Sequence, residues 1–243
     1  MTNWNQWLVV IPARLQSTRL PEKPLQDLKG KPLVVRVYER LLPLKEKGAH
    51  LVVATDSSKV MDACKDFGVQ SMMTLESHES GTDRVQEIAA KLNYDFILNV
   101  QGDEPFVDLQ DLEKLTHSME KHQKPEMGTL VYRNKSQQDF ENPNIVKAVI
   151  GDNGSALYFS RASIPFDRSQ SFDGFWHHQG IYCYSRKTLD TFCNLPVHHL
   201  ENTEKLEQLR ALGHGIDILT VEAQKPSIGI DTPQDLEDAR EHY

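Results

Sequence analysis

The sequence predicts a doubly wound α/β fold around a mainly parallel sheet. Three observations predict it. Short runs rich in Val, Leu and Ile at 8–12, 51–55 and 96–100 read as strands buried on both faces. Apolar residues recur at helical spacing between them. No internal repeat, low-complexity tract or long linker breaks the alternation. The 243 residues suffice for a real core without disulfides. One domain, 1–243, with an inserted antiparallel section around 130–185, is the expected organisation.

The elements follow in order. After strand 8–12, Leu33, Val34, Val37, Tyr38, Leu41 and Leu42 form a helical stripe that Pro43 is expected to end. Strand 51–55 precedes a second stripe, Val60, Ala63, Cys64 and Phe67, with Gly68 at its C-cap. Val85, Ile88, Ala89 and Leu92 form a third stripe before strand 96–100. Leu109, Leu112, Leu115 and Met119 form a fourth. The pattern changes after residue 125. Strands at 144–150 and 155–159 flank Gly151-Asp152-Asn153-Gly154, a hairpin signal. A strand at 178–184, helices at 186–194 and 201–212, and a strand at 216–221 follow. Pro233 at N1 opens the last helix. That makes Thr232 the N-cap and Asp235 the N3 residue of a capping box, and leaves Asp231 outside the cap.

Hydrophobic residues make up 39% and charged residues 26%, ordinary for a globular protein. The longest apolar run, 7–13, contains Pro12 and falls far short of the roughly 20 residues a membrane helix needs. Residues 1–6 have no basic cluster and no apolar segment of leader length after them, so no secretory signal is expected. The 3 cysteines are odd in number and lack CxxC spacing, which argues for a reducing cytoplasm and against structural zinc. Net charge is −8, which speaks against a nucleic-acid surface. Yet 12–36 carries Arg14, Arg19, Lys23, Lys29, Lys31 and Arg36 against Glu22 and Asp27. A cationic loop on an acidic protein suits a small anionic ligand, although a solvated basic surface would look the same.

That loop follows the first strand, where open α/β sheets bind ligands. The first glycine in the chain is Gly30, so neither GxGxxG nor a P-loop is present here. Arg14, Arg19 and Lys23 instead offer guanidinium forks and an ammonium to phosphate oxygens, with Lys23 expected on an exposed loop. Asn99-Val100-Gln101-Gly102-Asp103-Glu104-Pro105 ends another strand. Asp103 there suits Mg²⁺ beside a polyphosphate, although Gly-Asp-Glu-Pro is also good turn chemistry. In 78–84, hydroxyls, amides and Arg84 could face a base or ribose, or Thr82 or Asp83 could simply cap a helix. Glu201, Glu204 and Glu207 could serve a ligand or only a helix's N-terminal half. His198 and His199 are expected at the surface, pointing apart.

Several ordered blocks together resemble the 3-deoxy-D-manno-octulosonate (Kdo) cytidylyltransferases, the CMP-Kdo synthetases. They are Ile11-Pro12-Ala13-Arg14, Ser17-Thr18-Arg19-Leu20-Pro21, Lys23-Pro24-Leu25, Glu79-Ser80-Gly81-Thr82-Asp83-Arg84, Asn99 to Pro105, Leu157-Tyr158-Phe159-Ser160-Arg161-Ala162, Glu204 to Arg210, and Ile230-Asp231-Thr232-Pro233. The resemblance spans about 8–240. It implies a glycosyltransferase-A-like nucleotidyltransferase that uses CTP and Kdo, with Mg²⁺, to make CMP-Kdo and pyrophosphate for lipopolysaccharide biosynthesis. It also implies a cytoplasmic homodimer.

The resemblance further implies roles for residues. Arg14 and Lys23 hold the triphosphate and, with Asp103 and Asp231, form the catalytic set. Pro12, Ala13, Arg19, Ser80 and Arg84 complete the nucleotide site. Asp103 and Asp231 hold the metal. Gln101, Arg161, His178, Glu201 and Glu204 face the sugar acid.

One position departs. The family often carries Arg where this chain has His177, so the sugar carboxylate loses a permanent cation or the position is peripheral. An 8-amino analogue of Kdo is therefore an alternative substrate. A sialic-acid cytidylyltransferase would usually carry a Gly-Gly-Ser-Lys loop after the arginine, and this chain does not. A dehydrogenase lacks its glycine fingerprint here. A non-catalytic nucleotide-binding module sits poorly with intact Lys23, Asp103 and Asp231.

Overall fold

The computed structural model describes residues 1–17, 19–122 and 126–243; Thr18 of the cationic loop lies outside the described residues. Where the sequence suggests one domain, the residues cluster into two compact units, Met1–Leu109 with Ser227–Tyr243, and Gln110–Pro226.

The first unit is built on four parallel strands. β1 (Trp7–Pro12) is buried along its whole length, as a central strand covered on both faces must be. A two-residue hairpin, β2 (Asp27–Leu28) with β3 (Lys31–Pro32), leads into helix α1 (Leu33–Glu46). β4 (His50–Thr55), α2 (Ser58–Asp66), β5 (Ser71–Met73), α3 (Gly81–Lys91) and β6 (Phe96–Asn99) follow. β1 pairs with both β4 and β6, and β4 pairs with β5, all parallel. The order is therefore β5-β4-β1-β6. The winding reverses at β1, so a crevice opens beyond the carboxyl ends of β1 and β6, the switch point where such sheets take ligands.

Pro43 does not end its helix. It lies inside α1, while Leu41 and Leu44 on either side are fully buried. Their packing offsets the missing N–H, as tertiary burial generally outweighs local propensity in helices. Gly68 does terminate α2's turn, at φ +68 with the Val69 amide on the Cys64 carbonyl. Phe67, expected on the apolar stripe, is 44% exposed.

The second unit opens with α4 (Leu109–Lys121) and contains the predicted antiparallel section. β7 (Met127–Asn134) is followed by α5 (Gln137–Glu141), β8 (Lys147–Ile150), β9 (Ala156–Ser160) and β10 (Phe175–Ser185). β10 pairs antiparallel with β7 and β8, and β8 with β9 through the turn at Gly154, φ +80. α6 (Arg186–Cys193) and two short helices precede β11 (Ile218–Glu222), which runs parallel to β7.

The helix expected at 201–212 is two, α7 (His199–Glu204) and α8 (Gln208–Gly213), broken at Lys205 with φ +54. The break lets Arg210 grip Glu201 through two bonds of 2.8 and 2.7 Å while Glu204 turns to Ser160. These contacts offset the roughly 1–2 kcal/mol of a non-glycine left-handed residue. The chain closes with α9 (Pro233–His242) in the first unit. Its capping box is as the sequence predicts, Thr232 accepting from the Asp235 amide and Asp235 from the Thr232 amide.

Candidate active site

Five segments of the first unit converge on one cleft of about 290 Å³. β1 ends in Pro12, Ala13 and Arg14; the loop after it brings Arg19 and Lys23; α3 begins with Ser80 and Gly81; β6 runs out into Gln101 and Asp103; Asp231 precedes α9. Gly102 makes the closeness possible. A Cβ there would lie 2.8 Å from the Pro12 carbonyl oxygen, so only glycine lets the loops after β1 and β6 meet.

The charges are paired across the cleft. Lys23 Nζ donates to Asp103 Oδ2 and, at 2.8 Å, to Asp231 Oδ1. Arg19 also reaches Asp231 Oδ1, at 3.1 Å. Lys23 is therefore not the exposed loop lysine that the sequence suggests: its side chain is 18% exposed. A 3₁₀ turn, Lys23–Leu25, seats it over buried Pro24. Burial works against the ammonium, but the Asp103 and Asp231 carboxylates outweigh it and hold its pKa above the ordinary 10.5. Arg14 is exposed and, among the described residues, makes no ion pair, so its fork is available to an anion.

Ser80 and Arg84 are held differently. Ser80 is the N-cap of α3, its hydroxyl accepting from the Asp83 amide in a capping box. Arg84 touches the cleft wall but is 2% exposed. Its guanidinium donates to Asp56 Oδ2 at 2.5 Å, Thr74 Oγ1 at 2.8 Å and the Leu75 carbonyl at 3.1 Å. Most of its donors are thus committed to the protein. Asp56 also accepts from the Leu15 amide at 3.4 Å, tying the cationic loop to α3 through Arg84. Sequence reasoning missed Asp56. The signal was its place directly after β4, at the same strand edge as Arg14 and Asp103.

Gln101 is in the cleft, its amide donating to Asn99 Oδ1 at 3.3 Å. The other residues expected at the sugar lie in the second unit. Glu204 accepts from Ser160 Oγ at 2.6 Å and from the Arg161 amide at 2.9 Å, while Arg161 Nε returns to the Glu204 carbonyl at 2.9 Å. Glu201 is taken by Arg210. Fully buried Lys147, also missed, donates to the carbonyls of Asn142, Ile145 and Arg161 at 2.7–2.8 Å.

His178 is buried against Phe159 with Nε2 3.1 Å from Thr129 Oγ1. Burial, then neighbouring His177, pushes its pKa down to about 3. His177 faces Lys147 in the β10–β8 register, and its own pKa is lowered, by burial first and by Lys147, with Asp139 opposing. It carries no permanent charge, and an Arg there would set a second cation beside Lys147. His198 and His199 do not point apart. Their rings lie 4.3 Å from one another, because they sit at the start of a helix rather than on an extended chain.

Burial and the charge of Asp103 push the Glu104 carboxyl up to about 7, with the Ser227 hydroxyl opposing. Among the described residues, no helix is long and apolar enough to cross a membrane.

The cytidylyltransferase family model matches residues 8–218. A 3-deoxy-manno-octulosonate cytidylyltransferase of Wolinella succinogenes is 43% identical over 94% of this chain and 96% of its own. One from Thermodesulfovibrio yellowstonii is 44% identical over 95% of each. A solved structure of a CMP:2-keto-3-deoxy-manno-octonic acid synthetase complexed with CTP superposes with a TM-score of 0.93, at 40% identity over 98% of both chains. A putative glucose-1-phosphate thymidylyltransferase from Bacillus anthracis, at 15% identity and TM-score 0.68, shares the fold.

Proposed function

The chain belongs to the 3-deoxy-manno-octulosonate cytidylyltransferase family, and we propose that it transfers CMP from CTP to the anomeric hydroxyl of Kdo, releasing pyrophosphate. The observation that carries the reading is the cleft at the β1–β6 switch point, where Arg14, Arg19 and Lys23 meet Asp103 and Asp231. The relatives' names and the CTP bound by the similar synthetase support it.

The reaction is an in-line displacement. The sugar oxygen bonds to the α-phosphorus, the bond from that phosphorus to the β-phosphate's bridging oxygen breaks, and the hydroxyl proton leaves to water. The protein's share in such a transfer is positioning and charge stabilisation. Arg14 and Arg19 would take the outer phosphates in their planar forks. Lys23, once a triphosphate competes for it, would leave one or both carboxylates and balance the charge growing on the pyrophosphate. The Pro12 and Ala13 backbone and the first turn of α3 would receive the base, and a site that pairs with an exocyclic amine rejects the base lacking it.

Mg²⁺ is the cofactor implied by the family, and the residues fit it. Asp103 and Asp231 converge on a single cation, Lys23 Nζ, and the cleft lining holds no His or Cys. Two hard carboxylates beside a polyphosphate are the donor set Mg²⁺ takes. Bound by them, the ion would neutralise phosphate charge as the bond breaks.

The same reading carries a cytoplasmic homodimer serving lipopolysaccharide biosynthesis. Cys64, Cys183 and Cys193 form no disulfide, which suits a reducing compartment. The 8-amino sugar remains a second reading on one observation, His177 in place of a permanent cation, with its pKa lowered by burial.

Pyrophosphate release from CTP or UTP with Kdo, 8-amino-Kdo or sialic acid tests the proposal. CTP with Kdo is expected to give the highest kcat/KM. Equal rates with UTP would defeat the cytidylyl assignment, and preference for the amino sugar would replace Kdo.

A further inference from the structure

Asp231 lies 208 positions from Lys23 in sequence, in a stretch, 227–231, that is neither strand nor helix. Something must hold it at the cleft. The Asp231 amide donates to Asp235 Oδ2 at 3.0 Å, at the start of α9, and the segment before it meets the dipeptide Asp103-Glu104 at three points. Ser227 Oγ donates to Glu104 Oε2. The Ile230 amide donates to the Asp103 carbonyl at 2.9 Å. Gly229 passes beside the Glu104 carboxylate, where a Cβ would stand 3.4 Å from Oε1, in van der Waals contact. Ile230, next to Asp231, is fully buried. The turn closed by the Glu104 amide on the Gln101 carbonyl sends the two acidic side chains different ways, Asp103 to Lys23 and Glu104 to Ser227.

Glu104 is 8% exposed, and among the described residues no cation lies within ion-pair distance of it. A carboxyl group so placed forgoes its hydration, and in a purely structural setting an apolar side chain would fill the space with less loss. What an apolar side chain cannot do is accept the Ser227 hydroxyl.

We propose that Glu104 and Ser227 are positioning residues, a latch that fixes the 227–231 segment so that the Asp231 carboxylate meets that of Asp103 on one cation. The proposal rests on the reading of Asp103 and Asp231 as the ligand pair. The latch touches neither substrate nor metal; it sets the distance between two ligands 128 positions apart in sequence. Supporting partners of this kind alter metal affinity by about 10–100-fold when removed.

The test compares Glu104→Ala, Ser227→Ala, Glu104→Gln and Thr232→Ala with the wild-type protein. Mn²⁺ binding in the presence of CTP is measured by electron paramagnetic resonance, and kcat and KM for CTP are measured beside it, per folded molecule. Glu104→Ala and Ser227→Ala are expected to weaken Mn²⁺ binding at least about tenfold, with kcat falling more than KM rises. Glu104→Gln keeps an oxygen for the Ser227 hydroxyl and should stay within about threefold of wild type. Thr232→Ala, which loosens α9 without touching the latch, should leave Mn²⁺ binding unchanged. Ser227→Ala removes one hydroxyl and keeps the test open should Glu104→Ala fold poorly. Unchanged Mn²⁺ affinity in the folded Ala variants, or an equal loss in Thr232→Ala, overturns the latch. If Asp103→Asn binds Mn²⁺ as wild type does, the ligand-pair reading itself fails and the latch with it.

Discussion

Lys23 Nζ lies 2.8 Å from Asp231 Oδ1 across 208 positions of sequence, and the same ammonium also holds Asp103. Without nucleotide, the carboxylates that suit a metal are therefore already neutralised by the lysine that suits a phosphate. On the proposed reading, one group occupies the other's partner and a triphosphate would separate them.

Replacing Lys23 with Met should then act in two opposite directions. Turnover should fall by on the order of 10²-fold, because a transition-state charge partner is gone. Mn²⁺ affinity without nucleotide should rise roughly tenfold, since no ammonium must be displaced, a change of about 1.4 kcal/mol. Titration calorimetry with Mn²⁺ alone reads the second effect. Weaker binding in Lys23→Met than in wild type would show that Lys23 does not compete for that position.

Arg84 should behave as a structural ion rather than a nucleotide contact. Its side chain is 3% exposed and that of Asp56 11%. Arg84→Ala strands a nearly buried carboxylate and should lower stability by about 3–5 kcal/mol, and Asp56→Ala in the same chain should recover part of the loss. Urea unfolding of the two singles and the double gives the answer. A normal unfolding midpoint with lost CTP affinity would return Arg84 to the nucleotide.

Thr232 and Asp231 are neighbours with separable work. Thr232→Ala removes a cap and should cost about 1 kcal/mol with little change in turnover per folded molecule. Asp231→Asn keeps the box, whose acceptors are Thr232 Oγ1 and Asp235 Oδ2, and should lose turnover heavily at nearly native stability. Reversed effects in the two variants would make Asp231 structural.

His178 sets an acid limit. Its folded pKa is near 3 and its ordinary value 6.5, so between those values the unfolded chain binds one proton more. Stability from this group is complete above about pH 6.5 and falls as pH drops, by about 1.4 kcal/mol per unit inside the window. In His178→Gln that slope should be absent. Denaturant titrations of both proteins at pH 7.5, 6.0 and 5.0 test it, and parallel slopes would mean that His178 protonates freely in the fold.

Much of this architecture was legible because its signals are local. β1, β4, β6 and the α9 capping box follow from apolar runs and cap chemistry. β7 was not read, although Thr129 to Tyr132 has strand character, because Gly128 beside its first residue weakens the signal, and that glycine answers to distant atoms: a Cβ would stand 2.9 Å from Cys183 Sγ. The break at Lys205 was hidden for a similar reason, since Glu201–Arg210 and Glu204–Ser160 are tertiary contacts. Arg14, Lys23, Asp103 and Asp231 could be read from strand ends and motif. The burial of Lys23, the commitment of Arg84 to Asp56 and the three carbonyls around Lys147 could not, because each depends on where other segments fold.

The central claim is that Asp103 and Asp231 act as one centre on CTP and its metal. A double-mutant cycle on Mn²⁺–CTP affinity tests it most directly, with Asp103→Asn, Asp231→Asn and the double variant titrated under one condition. The account predicts that each single change weakens binding strongly and that the double is little worse than the weaker single, the non-additivity of two groups serving one ion. Strictly additive losses, or a single variant that binds as the wild type does, would contradict it.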